Sequence, residues 1–276
     1  MAAHILRLYP APPQELPLAG AYLAHNLHQL GSAAAPFVYA DFVSNLDGRI
    51  AVDDPRTGAS HVPAALRSDN DFRLLLELQA QADCVITHGG YLRAIADGRL
   101  DDILQVGTPD LAAWREANGL APQPAIVIAS ASLDFPMPLS LARHAQRVLI
   151  ATGEAAPADK LAPLKAQGYD IIAAGKGRWV EGAPLTSALA KLGFRSIFLL
   201  AGPRMLETML RDGVLSRLYL TMAHIILGGE RFHTLISGPE LGPAGRLRLS
   251  ALHYDAMQPG GSGQWFAQFE PLRESG

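Results

Sequence analysis

The stretch from Ser196 to Gly229, SIFLLAGPRMLETMLRDGVLSRLYLTMAHIILGG, constrains the fold more than any other part of this chain. Its apolar run from Ile197 to Leu200 is too short for a helix and suits a buried parallel strand. Ala201-Gly202-Pro203 follows, and Pro203 sits where a first helical residue has no intrahelical partner for its N–H. Met205, Leu206, Met209 and Leu210 then mark one face of a short helix that Gly213 ends. Leu218, Leu220 and Met222 alternate with polar neighbours as a second strand that leads to a Gly-Gly turn. A strand running through small residues into a helix N-terminus offers bare backbone N–H groups and the positive end of the helix dipole to a phosphate. The same residues also fit an ordinary tight strand-to-helix connection.

The rest of the chain repeats the alternation. Residues 1–35 read as a proline- and alanine-rich N-terminal extension with a short helix near Ala19–Leu30. Strands are expected at Phe37–Val43, Cys84–Thr87, Ala125–Ala129, Arg147–Ala151 and Ile171–Ala174. Helices are expected around Pro63–Gln81, Pro157–Gln167 and Pro184–Leu192. The ending differs, because Leu247–Tyr254 and Gln264–Phe269 are strands with no helix between them. This predicts antiparallel edge strands on a mostly parallel mixed sheet flanked by helices, an α/β class. One domain is expected over 36–273.

Composition removes several classes of function. Of 276 residues 49% are hydrophobic and 18% charged, with a net charge of −3 and no basic run, which argues against nucleic acid as a partner. The single cysteine, Cys84, excludes an intrachain disulfide and a multi-cysteine metal site. His61, His88, His224 and His233 show no metal-ligand spacing, so no metal is expected. No apolar run is long enough to span a bilayer, and no signal-peptide pattern opens the chain, so a cytoplasmic protein is expected. Gly-x-Ser-x-Gly, the P-loop and Gly-x-Gly-x-x-Gly are all absent.

A second landmark is Phe37 to Ala51, where a strand feeds the polar corner Ser44-Asn45-Leu46-Asp47-Gly48 and resumes as Ile50-Ala51. This corner is followed in order by His88-Gly89-Gly90, Ala201-Gly202-Pro203 and Ile226-Leu227-Gly228-Gly229. The set resembles the reductase domain of the bifunctional riboflavin-biosynthesis deaminase–reductase, the RibD C-terminal domain family, from about Pro36 to Pro271. The resemblance implies a dihydrofolate-reductase-like fold, NADPH as cofactor and a homodimer. It places Asn45, Asp47 and Arg49 beside the substrate, and Ala51, Thr87, His88, Gly89, Gly90 and Ser130 along the cofactor. Ala201, Gly202, Pro203, Arg204 and Met205 match the loop and helix start that hold the pyrophosphate, as the reading of the local sequence alone had it.

Three positions depart from the family pattern. Asp41 stands where the riboflavin enzymes carry lysine, Leu200 where they carry glutamate before the glycine turn, and Tyr91–Asp97 where they carry Thr-Val…Asp-Asp-Pro. Each is associated with the substrate rather than with NADPH, and exchanging lysine for aspartate turns a phosphate attractor into a repeller. The deaminase half, which needs His-x-Glu and Pro-Cys-x-x-Cys, is missing from this chain.

Single residues leave alternatives open. Asp41 is either a pocket acid that gives a proton as hydride arrives, or an edge-strand aspartate facing water. Asp47 also reads as a turn residue that pins the corner through backbone hydrogen bonds, and Arg49 also as a solvated loop arginine. Trp114, Trp179 and Trp265 read as packing residues, Asp101-Asp102 as a solvated pair, and Glu207 as exposed. The expected activity is an NADPH-dependent reductase resembling the pyrimidine reductase of riboflavin biosynthesis, with its substrate altered at the departing positions, adding hydride to a C=N or C=O carbon of a small heterocycle or sugar-derived substrate. The alternative is a non-catalytic nucleotide-binding or sensor protein of the same fold.

Overall fold

The apolar runs assemble into one sheet. The computed structural model describes residues 3–256 and 261–272. In chain order its elements are β1 (His4–Tyr9), β2 (Gln14–Pro17), β3 (Phe37–Asn45), β4 (Ala51–Asp53), β5 (Ser60–His61), α1 (Asp69–Ala80), β6 (Cys84–His88) and α2 (Gly89–Ala96). There follow α3 (Pro109–Ala117), β7 (Ala125–Ala129), α4 (Leu139–Arg143), β8 (Val148–Thr152), α5 (Ala158–Ala166), β9 (Asp170–Ala173) and α6 (Gly182–Lys191). The remainder is β10 (Ser196–Leu199), α7 (Pro203–Arg211), β11 (Arg217–Ala223), β12 (Phe232–His233), β13 (Leu247–Asp255) and β14 (Gln264–Pro271).

Eleven strands run in the order β2-β1-β13-β14-β11-β3-β10-β6-β7-β8-β9. From β11 to β9 every neighbour is parallel, and from β11 outward through β14, β13, β1 and β2 every neighbour is antiparallel. The parallel strands are covered on both faces, which is why β7 and β10 are buried at every position and their sequences show no alternation. One face carries Val38, Ala40 and Leu199 against α6 and α7. The other carries Tyr39, Val85, Ile126 and Phe198 against Leu74 and Leu78 of α1 and Leu92 of α2. Met205, Leu206, Met209 and Leu210 are all buried where α7 meets the sheet, each contributing about 1.5–3 kcal/mol.

The antiparallel strands expected at the C-terminus are present, but they are not the edge. The N-terminal segment supplies β1 and β2, with Leu6 opposite Tyr254 and Arg7 opposite His253. The helix expected near Ala19–Leu30 is replaced by two short 3₁₀ turns, Leu23–His25 and Leu27–Gln29. Asn26 between them adopts a left-handed φ of 49°, which no continuous helix allows. The segment is held instead by Glu77 of α1, fully buried, whose carboxylate accepts from the amides of Gly20 at 2.6 Å, Tyr22 at 3.0 Å and Leu23 at 3.3 Å.

Two further differences shape the site. The residues read as a glycine turn at His88-Gly89-Gly90 open a helix, α2. A small sheet of order β12-β4-β5 joins the segment after the polar corner to Phe232 and His233. Glu207, read as exposed, is 4% exposed, because the loop at Gly238 packs onto its side chain while Arg211 pairs with its carboxylate at 2.6 Å. Residue 273, the expected end of the domain, lies outside the described residues. Among those described, no helix is long and apolar enough to cross a membrane.

Candidate functional site

The parallel strands end along a common line, and a groove of about 420 Å³ opens there, within the range of small-molecule sites. The turns after β6, β7 and β10 wall it, together with the loop after β9 and residues His233 and Ser237.

Two helices begin in this groove. His88 is the N-cap of α2, its Nδ1 accepting from the Tyr91 amide at 3.3 Å. Burial, with Arg93 adding to it, pulls the imidazole down to a pKa of about 4, so the ring is neutral near physiological pH. Because Nδ1 accepts, this hydrogen-bond pattern assigns the ring proton to Nε2. Gly202 is the N-cap of α7, with Pro203 as its first residue. A Cβ at Gly202 would stand 3.6 Å from His88 Nε2, so the positive ends of both helices face the same space. A Cβ at Gly89 would stand 3.1 Å from Ser130 Oγ, which itself accepts from the Leu133 amide at 3.0 Å. The bare backbone at both helix starts is what an anion needs in order to approach the N–H groups.

The charge of the groove agrees. Arg93, Arg178 and Arg204 line it and, among the described residues, no carboxylate does, although the whole chain carries a net charge of −3. Of the residues predicted to hold a cofactor, the structure brings together His88, Gly89, Gly90, Ser130, Gly202, Pro203, Arg204 and Met205 on the groove wall. Thr87 is fully buried on β6 just behind, its Oγ1 without a hydrogen-bond partner. Ala201 sits half-buried between β10 and the Gly202 cap. Ala51 stands apart, paired with His233 in the small sheet.

Arg178 and Trp179 also line the groove, which no motif in the sequence indicates. Trp179 is not a packing residue: half exposed at 50%, it carries the Arg204 guanidinium 4.0 Å from its ring centroid. The local signal was the Gly-Lys-Gly-Arg-Trp cluster at 175–179, which puts cations and an aromatic on a loop with no periodic pattern.

The polar corner is closed upon itself. Asn45 is buried, and its Oδ1 accepts from the Arg49 amide at 2.8 Å. Asp47 accepts from Gly228 N at 2.9 Å and Leu227 N at 3.4 Å and forms an ion pair with Arg49. Desolvation works against ionising Asp47, but these amides and Arg49 together hold its carboxyl below the usual range. Arg49 also donates to Gly229 O at 3.2 Å and lies 4.2 Å over the Phe232 ring. Asp47 and Arg49 thus fix the Gly228-Gly229 turn, whose φ values of +66° and +96° require glycine. Asp102, read as solvated, accepts from the Leu104 amide at 3.2 Å and from the Ser140 hydroxyl.

Asp41 lies on a central strand, with β10 on one side and β11 on the other, so the reading of an edge aspartate facing water is corrected. Burial pushes its carboxyl well up, and Asp71 in the first turn of α1 pushes it further. Asp71 is itself raised to about 6 by burial, against a hydrogen bond with Thr221. The two acids form a pair that keeps a proton to higher pH than a lone carboxyl would.

Comparison with known proteins agrees with this architecture. The family model described as the RibD C-terminal domain matches residues 36–260. The 2,5-diamino-6-ribosylamino-4(3H)-pyrimidinone 5′-phosphate reductase of Methanothermobacter thermautotrophicus is 25% identical over 217 residues, which cover 78% of this chain and 91% of that protein. A pyrimidine reductase-like protein from Corynebacterium diphtheriae matches the fold with a TM-score of 0.62 at 19% identity, over 87% of this chain and 93% of that one. The riboflavin biosynthesis reductase of Saccharomyces cerevisiae matches with a TM-score of 0.56 at 15% identity, over 92% and 99%.

Proposed function

Because the chain belongs to the RibD C-terminal domain family, we propose that it is an NADPH-dependent reductase acting on a phosphorylated ribosylamino-pyrimidine, the substrate class named for its archaeal relative. One observation carries the cofactor assignment: the starts of α2 and α7 meet across a groove lined by three arginines and, among the described residues, no carboxylate. That donor set fits a dinucleotide, with the bare backbone of Gly89, Gly90 and Gly202 and the amides after Pro203, at Arg204 and Met205, taking the pyrophosphate, and Ser130 the adenosine half. When bound, the nicotinamide supplies hydride.

The chain's own residues position, desolvate and protonate. Thr87, Ala201 and Met205 shape the wall behind the cofactor, and Ala51 anchors the small sheet beside it. Asn45, Asp47 and Arg49 together set the corner that we place beside the substrate. A hydride added to a C=N or C=O carbon leaves the adjoining nitrogen or oxygen in need of a proton. Asp41, whose proton Asp71 helps retain, is the group we assign to deliver it.

The protein also fits a homodimer, since Leu6 and Leu8, on one face of β1, are each 37% exposed; light scattering that gives a monomer mass contradicts this. The reductase reading is tested by titrating the protein with NADPH and then following nicotinamide absorbance as the archaeal relative's substrate is added. Binding followed by oxidation supports it. Binding without turnover supports a nucleotide-binding protein instead, and no binding at millimolar NADPH overturns the cofactor assignment.

A further inference from the structure

The far end of the groove, where the loop after β9 faces the start of α7, carries chemistry that pyrophosphate binding leaves unused. Arg178 and Trp179 are exposed there. The Arg204 guanidinium sits 4.0 Å from the Trp179 ring centroid and that of Arg178 sits 5.8 Å from it. Among the described residues neither arginine has a carboxylate partner. Arg93, the third arginine of the groove, is already engaged by the Asp134 carbonyl.

This loop is built rather than loose. Glu154 N donates to Gly175 O at 2.8 Å, Ala155 N to Gly177 O at 3.1 Å, and Glu181 N to Ala174 O at 2.7 Å. A Cβ at Gly153 would stand 2.0 Å from Gly177 O, and one at Gly175 would stand 2.3 Å from Trp179 O. Backbone contact this close holds Arg178 and Trp179 where they are. An exposed indole with one guanidinium stacked on it and a second at its margin offers a flat π surface and two planar sets of N–H donors. Flat π surface suits a purine base, and paired guanidiniums with no acidic partner suit a phosphate dianion.

Resting on the NADPH reading above, we propose that Arg178, Trp179 and Arg204 read the adenosine end of the cofactor. Trp179 stacks on the adenine, while the two arginines hold the ribose 2′-phosphate, and the site thereby selects NADPH over NADH. The arginines act on the phosphate alone, whereas the indole acts on both cofactors.

The test uses calorimetric titration of the full chain with NADPH, NADH, adenosine 2′,5′-bisphosphate and adenosine 5′-phosphate. Wild type is expected to bind each 2′-phosphorylated ligand at least about tenfold tighter than its partner lacking that group. The pair of changes Arg178→Gln and Arg204→Gln is expected to remove most of that ratio, with the loss of affinity falling chiefly on NADPH rather than NADH. Trp179→Ala is expected to weaken NADPH and NADH alike, and thermal melting checks that each variant is folded. Equal wild-type affinity for NADPH and NADH overturns the selectivity proposal and leaves the reductase reading standing. A ratio that survives in the double arginine variant overturns the assignment of these residues. Wild type that binds neither dinucleotide overturns both readings together.

Discussion

Gly202 and His88 face each other so closely that a Cβ on the glycine would stand 3.6 Å from the imidazole Nε2. They are the N-caps of α7 and α2, elements more than a hundred residues apart in the chain, so the closeness joins two helix dipoles at one point. The φ of Gly202, −75°, is open to any residue. Glycine is therefore not demanded by the backbone here; what its smallness preserves is the space between the caps. Gly202→Val should cost about 1 kcal/mol of stability at most, because valine is a poor N-cap, yet weaken NADPH binding by about tenfold or more as its methyls enter that space. Thermal melting and cofactor titration on the same sample separate the two effects.

Asp41→Asn keeps size and removes the transferable proton. NADPH affinity should stay within about twofold, because Asp41 is not among the residues that wall the groove, while turnover falls by about a hundredfold or more. Steady-state kinetics beside a binding titration reads both, and full turnover in the variant removes Asp41 from the mechanism.

The Asp41–Asp71 pair also fixes a pH trend. Asp71 has a folded pKa of about 6 against an ordinary 3.8, so the native state binds more protons than the unfolded chain between those values. Its contribution to stability is present below about pH 4 and lost as pH rises through about 6. Asp71→Asn should therefore raise the melting temperature relative to wild type more at neutral pH than at about pH 4. Melts of both proteins across that window check the sign, and a gain that is largest in acid contradicts the carboxyl pair.

Glu77 ties the N-terminal segment to α1. Its buried carboxylate takes three backbone amides and an ion pair with Arg73 at 2.9 Å. Removing it in Glu77→Ala leaves Tyr22 N buried without an acceptor and should destabilise the protein by about 3 kcal/mol. The amides of Gly20, Tyr22 and Leu23 should exchange faster with solvent, as hydrogen exchange of variant and wild type would show.

What the sequence disclosed and what it hid follow from the range of the interactions. Runs such as Ala125–Ala129 and the Pro203 helix start carry their own local signal, and the observed β7 and α7 begin at those residues. The Asp47 corner was legible because an aspartate at a turn accepts from nearby amides, though its partners at Leu227 and Gly228 are distant in sequence. β1 and β2 were hidden because their proline-rich surroundings look like a leader, and only pairing with β13 makes them strands. Trp179 was read as packing because its half-exposed place over Arg204 is set by backbone contacts between loops, which no local pattern records. The acid facing Asp41 was invisible for the same reason, since Asp71 arrives from a helix thirty residues onward.

The proposed function requires the starts of α2 and α7 to hold a dinucleotide together. Amide hydrogen exchange with and without saturating NADPH tests it where it stands. Exchange should slow at Gly89, Gly90 and Tyr91 and at Arg204 and Met205, with the loop after β9 responding and the distant strand β1 unchanged. Protection absent from both helix starts, or confined to another face of the sheet, would contradict the account.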